Sequence, residues 1–212
     1  MGSSGASAVA AAFGVNQLLG KPLSNHQLIE VCIEVEARVS GRHADNVAPC
    51  LLGGLLLIRS LSPLDIISLP ILKKLTFVVV TPKMEIATKA ARDMLPKTIP
   101  LKSMVHNSGN LASMIAAFHS GDFELLARSL TDEVVEPARA HLIPGFHKVK
   151  ASALEAGAMG CSMSGSGPSV FALCIENASL VARAMTKAFL NENLKSQKII
   201  SPISLVGARE IL

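Results

Sequence analysis

The first part of the chain places apolar residues at helical spacing between short polar clusters. Residues 8–19 form an Ala-rich run that is closed by Gly20, and this pattern predicts a helix. Residues 24–27 read Ser-Asn-His-Gln, which has the form of a capping box and predicts a second helix to about Val39. The side chains expected to face the core on this second helix are Leu28, Val31, Cys32 and Val35.

The rest of the chain mixes strand and helix patterns. Residues 55–60 and 75–81 predict strands, and the second run is apolar enough to be buried on both faces. The other predicted elements are helices at 86–95, 101–119, 123–130 and one ending at 155, strands at 160–163 and 170–175, a helix at 178–194 and a strand at 199–206. This order predicts an α+β fold in which helices face an antiparallel sheet.

The composition limits the classes of protein that fit. Half of the 212 residues are apolar and only 17% are charged, which is typical of a globular chain. Aromatic residues make up 3%, with no Trp or Tyr, so a stacking surface for single-stranded nucleic acid is not expected. The net charge of +4 is scattered along the chain, which also argues against nucleic acid as a partner. The longest apolar run, 47–58, is too short for a membrane span.

The four cysteines show no Cys-x-x-Cys pair and no His partner at the spacing of a metal site. Buried free thiols in a reducing compartment are therefore favoured over a metal site or a disulfide. The residues concerned are Cys32, Cys50, Cys161 and Cys174.

Three polar segments carry the candidate chemistry. Residues 2–4 read Gly-Ser-Ser before the first predicted helix, where backbone N–H groups and the helix dipole attract an anion. On its own this is a weak phosphate signal, because the same residues also serve as plain N-caps. Residues 40–49, Ser-Gly-Arg-His-Ala-Asp-Asn-Val-Ala-Pro, place a base, an acid and an amide beside apolar chain. These groups either satisfy one another inside the fold or face a small polar ligand. Residues 164–169, Ser-Gly-Ser-Gly-Pro-Ser, form a turn between two predicted strands.

Together the three segments resemble the motifs of the GHMP small-molecule kinases. The segment at 2–7 is similar to the end of their phosphate loop, the segment at 40–49 to the homoserine kinase form of their central motif, and the segment at 164–169 to their third, glycine-rich motif. The central motif is the specific one, because Gly-Ser loops are common. Smaller matches to homoserine kinase lie at 105–107, 135–144 and 206–209, so the resemblance runs along nearly the whole chain.

The resemblance implies an enzyme of threonine biosynthesis that uses ATP and Mg²⁺ to phosphorylate the hydroxyl of L-homoserine. It implies a GHMP kinase fold, with a remnant of the N-terminal ATP-binding domain at 1–69 and a ferredoxin-like C-terminal domain at 70–212. Relatives carry further residues before the phosphate loop, so the chain is expected to lack the N-terminal portion and to be poorly soluble or inactive alone. The full-length form is expected to be a homodimer, in the plastid stroma if the source is a plant and otherwise in the cytoplasm.

The resemblance also assigns roles to individual residues at the nucleotide end. Gly2, Ser3 and Ser4 match the loop whose backbone donors and hydroxyl groups hold the ATP phosphates. Glu36 matches the Mg²⁺ carboxylate, and its spacing from the central motif leaves Glu34 as an alternative.

Other residues match the positions that bind the amino acid. Asn46 matches the amide that orients the attacking hydroxyl, and Asp45 lies beside it as a candidate base. His43, Arg92 and Arg139 match positions that hold the homoserine carboxylate, for which a guanidinium fork is well suited. The third motif adds Gly165, Ser166 and Gly167 as substrate-binding residues.

Each of these residues has an ordinary structural explanation as well. Arg92 fits a solvated helix residue, Arg139 an ion pair with Glu136, and His43 a cap on a backbone group. A tight hairpin alone would explain the glycines of the third motif. Two functional alternatives also stand: a truncated, non-catalytic subunit that pairs with intact kinase, and a GHMP kinase for another small alcohol.

Overall fold

The computed structural model describes residues 2–39 and 41–211, with the backbone alone described at 88–90. The chain divides into two compact units. The first extends to Ile71 and resumes at Ile203, whereas the second is Leu72–Pro202. The sequence placed the division at 69/70 and assigned everything after it to the second domain. The structure places it two residues later and returns the end of the chain to the first unit.

The first unit combines helices with a β-hairpin. Its helix α1 begins at Ser3, five residues before the predicted start, because Gly2 with φ of 58° turns the chain directly into the helix. The run at 2–7 is therefore mostly helical instead of a loop. The elements of this unit are α1 (Ser3–Leu18), α2 (Asn25–Val39), α3 (Val47–Leu52), β1 (Leu55–Leu61) and β2 (Leu64–Leu69).

The predicted capping box at the start of α2 is confirmed. The backbone N–H of Ser24 donates to Oε1 of Gln27 at 2.9 Å, and the N–H of Gln27 donates to Oγ of Ser24 at 3.3 Å. These reciprocal bonds satisfy donors that a helix start leaves without a partner, and they fix where α2 begins.

The buried face of α2 differs from the predicted stripe. Val31 and Val35 are exposed, so the prediction was wrong for these two residues. Apolar residues occupy more than one side of α2, and periodicity alone cannot choose between such sides. The buried side is formed by Leu28, Ile29, Cys32, Ile33 and Glu36.

The apolar run after the central motif contains a helix and a strand. Residues 47–52 form α3, which the sequence did not predict and which ends at Gly53 with φ of 76°. The predicted strand at 55–60 is confirmed as β1. It pairs antiparallel with β2, which was also not predicted, in a register from Leu55 opposite Leu69 to Leu61 opposite Leu64.

The second unit contains the four-stranded sheet. Its elements are β3 (Thr76–Pro82), α4 (Thr88–Asp93), α5 (Leu101–Ser120), α6 (Phe123–Arg128), α7 (Val135–Arg139), a 3-10 turn (Ala140–Leu142), α8 (Phe146–Glu155), β4 (Gly160–Met163), β5 (Val170–Cys174), α9 (Ala178–Asn191) and β6 (Ser196–Pro202). The strand order β4-β5-β3-β6 is antiparallel throughout. With α9 crossing between β5 and β6, this order gives the ferredoxin-like arrangement that was predicted.

The core of the second unit lies between the sheet and helices α8 and α9. Aliphatic side chains of β3 and β5 meet two phenylalanines, Phe146 and Phe189, that are almost fully buried. The last strand ends at Pro202, four residues before its predicted end, because the chain beyond it bonds to the first unit. There the carbonyl oxygen of Ser204 accepts from the N–H of Gly54 at 2.7 Å.

The four cysteines are free thiols. Cys32, Cys161 and Cys174 are buried, and Cys50 is half-buried. Within the described residues, none of the helices combines the length and the apolar character that crossing a bilayer would require.

Candidate functional site

The start of α1 lies against a buried carboxylate. Glu36 on α2 is 1% exposed, and its Oε2 accepts a hydrogen bond from the hydroxyl of Ser4 at 3.1 Å. Burying a carboxylate this completely costs free energy unless polar or charged groups compensate it. The first helical turn and α2 thus bring two of the predicted site residues into contact, although 32 positions separate them in the sequence.

The amide of the central motif also lies at the start of α1. A Cβ added to Gly2 would lie 2.7 Å from Oδ1 of Asn46, and a Cβ added to Gly5 would lie 3.0 Å from the Cβ of Asn46. Both glycines therefore permit a close approach that any larger residue would obstruct. Gly5 was not singled out from the sequence, because the predicted helix began only at residue 8 and Gly5 lay in the Gly-Ser segment before it.

His43 lies between two carboxylates. Its Nδ1 is 2.7 Å from Oδ1 of Asp45, and its Nε2 is 3.7 Å from Oε2 of Glu36. Asp45 itself is 68% exposed at its side chain. The first unit thus brings Gly2, Ser4, Glu36, His43, Asp45 and Asn46 together. Ser3 lies on the exposed side of α1.

The two glutamates weighed for the metal lie in different surroundings. Glu34 is exposed and pairs with Arg42 at 2.6 Å, whereas Glu36 faces the start of α1. Among the described residues, no group of three His, Cys, Asp or Glu side chains forms a metal cage by itself. Ser40, the first residue of the central motif, lies outside the described residues.

In the second unit, Arg139 is held inside the fold. It is 8% exposed, its Nε donates to the carbonyl oxygen of Ala91 at 2.7 Å, and its Nη1 donates to that of Gly165 at 3.4 Å. Burial lowers the pKa of Arg139, the nearby charge of Arg92 lowers it further, and Asp132 acts in the opposite direction. The structure therefore brings together three of the predicted residues, namely Arg92, Arg139 and Gly165.

The glycine-rich turn between β4 and β5 closes on itself. The N–H of Ser164 donates to the carbonyl of Ser169 at 2.8 Å, and the N–H of Gly167 donates to the carbonyl of Ser164 at 3.0 Å. Gly165 and Gly167 adopt φ values of 57° and 79°, which favour glycine. These bonds leave Ser166 at the tip of the turn, half-buried.

Arg139 does not pair with Glu136, so that structural explanation of Arg139 is wrong. Oε1 of Glu136 accepts from Nζ of Lys150, and its Oε2 accepts from the hydroxyl of Ser162 at 2.6 Å. Among the described residues, Arg139 forms no ion pair with a carboxylate. A buried guanidinium with only carbonyl partners, next to a second arginine, is suited to an anionic ligand.

Comparison with known proteins places this geometry in a family. Residues 1–54 match the GHMP kinases N terminal domain, and residues 114–191 match the GHMP kinases C terminal domain. A homoserine kinase of Chlorobium phaeobacteroides is 47% identical over 99% of this chain and 67% of its own length. The chain belongs to the homoserine kinase family. The predicted family, its kinase class and the GHMP kinase fold are thereby confirmed.

Other relatives agree with this assignment. The homoserine kinase of Arabidopsis thaliana is 45% identical over 92% of this chain and 54% of its own length. The crystal structure of homoserine kinase from Cytophaga hutchinsonii superimposes with a TM-score of 0.95 at 45% identity, over 98% of this chain and 67% of that one. The chain thus spans about two thirds of the length of several homoserine kinases that it matches. Mevalonate kinase of L. major, at 15% identity and a TM-score of 0.67, shares the fold.

Membership of a kinase family implies ATP as the phosphoryl donor. The matched ranges include the three polar segments that the sequence had singled out, at 2–4, 40–49 and 164–169. Residues that support them carried no such signal: Asp132, Lys150 and Ser162 are common residue types without a motif, and only their contacts show what they do.

Proposed function

We propose that this protein transfers the γ-phosphoryl group of ATP to the hydroxyl of L-homoserine and forms O-phospho-L-homoserine. The observation that carries the proposal is the buried Glu36 carboxylate beside Ser4 and the start of α1, in a chain 47% identical to a homoserine kinase. Phosphoryl transfer depends mostly on positioning and charge neutralisation, and both units contain groups suited to these tasks.

The nucleotide phosphates are assigned to the start of α1. Backbone N–H groups after Gly2 and the hydroxyls of Ser3 and Ser4 supply donors there, and the helix dipole favours an anion. Glu36 and Ser4 offer hard oxygen ligands beside these donors, as Mg²⁺ prefers, so the residues fit the ion. A Mg²⁺ ion held by Glu36 and Ser4 would neutralise charge on the transferring phosphate.

The attacking hydroxyl is assigned to Asn46, whose amide lies next to Gly2 at the phosphate end. Asp45 is not assigned the role of base, because its carboxylate lies 2.7 Å from Nδ1 of His43. A phosphate oxygen is the better acceptor for the proton of the hydroxyl. Alignment of the hydroxyl with the phosphate supplies up to roughly 7–11 kcal/mol of barrier reduction in favourable cases.

The substrate carboxylate is assigned to the second unit. Arg139 is a buried cation held by the carbonyls of Ala91 and Gly165, and Arg92 adds a second positive charge nearby. Two guanidinium groups select a carboxylate over an uncharged alcohol. The roles of His43, Ser166 and Gly167 toward the substrate stay predictions, as do the homodimer and the cellular location.

A coupled ADP-release assay tests the proposal on the purified protein with ATP, MgCl₂ and either L-homoserine, mevalonate or galactose. Of the three alcohols, only L-homoserine is expected to be phosphorylated. Arg139→Ala should lower kcat/KM about 100-fold, because it removes a buried charge that faces the carboxylate. Arg128→Ala is the matched control, since its exposed pair with Glu124 contributes little.

Absence of ADP release with L-homoserine would contradict the proposed function. ADP release with L-homoserine would instead show that the sequence-based expectation of an inactive chain was wrong. Preference for mevalonate or galactose would assign the protein to another GHMP kinase activity.

A further inference from the structure

A charged network in the second unit joins α7, α8 and β4. At its centre is Glu136 on α7, which is 9% exposed. One carboxylate oxygen accepts from Nζ of Lys150 on α8, and the other accepts from the hydroxyl of Ser162 on β4 at 2.6 Å. Lys150 is itself largely buried. Both carboxylate oxygens are therefore fixed by elements that belong to the core of this unit.

The same short helix carries Arg139. α7 has five residues, and Glu136 and Arg139 are three positions apart, so they lie on neighbouring parts of its surface. Its start is fixed by Asp132, whose carboxylate accepts from the backbone N–H groups of Val134, Val135 and Glu136 at 2.8–3.1 Å. At the other end, Arg139 bonds to the carbonyls of Ala91 and Gly165.

A helix of five residues does not hold its shape or position by itself. The location of α7 depends on these tertiary contacts. Glu136 supplies the contact that lies between the Asp132 cap at the start of the helix and the bonds of Arg139 at its end. A buried Glu–Lys pair adds little net stability compared with apolar residues of the same volume. The pair instead fixes the position of α7, because its hydrogen bonds form in only one placement of this helix.

We propose that Glu136 is a positioning residue for Arg139: with Lys150 and Ser162 it holds α7 where the Arg139 guanidinium can receive the substrate carboxylate. The proposal rests on the proposed function for the identity of that carboxylate. Both carboxylate oxygens of Glu136 are taken by Lys150 and Ser162, so it acts only through the helix that it shares with Arg139.

The kinetic experiment compares two substrates in the purified protein and in the variants Glu136→Gln and Ser162→Ala. L-homoserine carries the carboxylate, whereas 3-amino-1-propanol is the same amino alcohol without it. Glu136→Gln is expected to lower kcat/KM for L-homoserine about 10- to 100-fold, mainly through KM, because a misplaced binding group loses that much. The value for 3-amino-1-propanol should change less than about twofold, as an unaffected phosphoryl-transfer step requires.

Ser162→Ala keeps the ion pair and removes one hydrogen bond, so it tests the proposal even if Glu136→Gln does not fold. It should lower kcat/KM for L-homoserine by about 2- to 10-fold, the effect of one such bond. Glu192→Gln is the matched control. It removes a carboxylate that pairs at 2.6 Å with Lys148, which lies on α8 like Lys150 but outside the network. The value of kcat/KM should stay unchanged for both substrates.

A second readout needs no substrate. The Nε–H of Arg139, bonded to the carbonyl of Ala91, should give a protected ¹⁵N–¹H signal that Arg139→Lys identifies by its loss. Glu136→Gln and Ser162→Ala should shift or broaden this signal, and Glu192→Gln should not. If L-homoserine is not phosphorylated, the proposed function fails and this signal still decides the positioning role. The inference would be overturned if the Arg139 signal were unchanged in Glu136→Gln and Ser162→Ala. It would also be overturned if these variants lowered kcat/KM equally for L-homoserine and 3-amino-1-propanol.

Discussion

At the scale of one residue, Glu36 is a charged side chain at a buried position. It lies on the buried side of α2, where Ile29 and Ile33 are its neighbours, yet it is a carboxylate that Ser4 and His43 approach. An apolar residue would pack at this position without the cost of burying charge. The cost is understandable if the carboxylate holds a cation for ATP.

Glu36→Gln keeps the shape of the side chain and removes its charge. At fixed ATP and L-homoserine, we expect the rate to fall about 10- to 100-fold or more and the MgCl₂ concentration for half-maximal rate to rise, since weakening a metal site has effects of this size. Glu34→Gln is the control, because Glu34 is exposed and pairs with Arg42. Equal effects of the two variants would exclude Glu36 as the metal carboxylate. The readout is ADP release across a MgCl₂ titration.

Cys161 makes the second unit sensitive to alkaline pH. Burial raises the pKa of its thiol to about 12 from 9.0, while the charge of Lys150 lowers it and Glu136 raises it. The unfolded chain loses the proton near pH 9 and the folded protein does not. Stability is therefore complete below pH 9 and falls as the pH rises toward 12, by at most about 1.4 kcal/mol per pH unit.

Urea unfolding at pH 7.5, 8.5, 9.5 and 10.5 measures this dependence. Cys161→Ala should flatten the decline above pH 9 relative to the unmodified protein. Cys50→Ala, which alters a half-buried thiol in the first unit, should leave the decline of the second unit in place. A decline that is the same in all three proteins would show that Cys161 is not its cause.

At the scale of elements, α7 depends on its N-terminal cap. Burial pushes the pKa of Asp132 upward, but hydrogen bonds from the Val134 N–H, the Asn107 amide and the N–H groups of Glu136 and Val135 outweigh it and lower the pKa. A lowered pKa means that the charged carboxylate stabilises the fold. This contribution is present above the ordinary value of 3.8 and is lost as the pH falls through the folded value.

Asp132→Ala should reduce the free energy of unfolding at pH 7 by about 1–2 kcal/mol, as the loss of a helix cap does. The difference from the unmodified protein should shrink below about pH 4, near the reference pKa of Asp. Asp122→Ala is the comparison, because Asp122 caps α6 through one bond from the N–H of Leu125 at 2.9 Å, and it should be the milder variant. Urea unfolding at pH 7 and pH 3.5 measures both. A larger effect of Asp122→Ala would contradict the importance of the Asp132 cap.

At the scale of the whole molecule, the end of the chain completes the first unit. The N–H of Ala208 donates to the carbonyl of Leu51 at 3.2 Å, and a Cβ on Gly53 would lie 2.8 Å from the nitrogen of Gly207. The chain after β6 therefore lies against the end of α3 with room only for glycine. This closure joins residues that about 150 positions separate in the sequence, because the second unit, Leu72–Pro202, is inserted between the two segments of the first.

Gly207→Ala should destabilise the first unit by about 1–3 kcal/mol, because its Cβ would overlap the backbone carbonyl of Leu51. Gly14→Ala is the matched control in α1, where a Cβ meets nothing within 4 Å and should instead stabilise by about 0.4–1 kcal/mol. Hydrogen exchange followed by mass spectrometry should show faster exchange in α2 for Gly207→Ala, with α8 and α9 unchanged. Faster exchange confined to the second unit would refute the expected closure.

Elements with local signals were predicted closely, and elements without them were missed. The capping box placed the start of α2, and the strand at 160–163 matches β4 at both ends. The run at 47–58 has no helical or alternating period, so the short helix α3 could not be separated from β1. Val31 and Val35 were assigned to the core because apolar character is local, whereas burial depends on the neighbouring elements.

The sequence by itself determined the family and the residue types of the candidate site. The motifs at 2–4, 40–49 and 164–169 require particular donors, acceptors and glycines at fixed spacing, and these residues can be read directly from the sequence. Only the tertiary structure decided that Glu36 and not Glu34 faces the start of α1, and that Glu136 pairs with Lys150 and not with Arg139. The physical reason is that a charged side chain takes its partner from the elements packed around it, and their arrangement is not encoded at neighbouring positions.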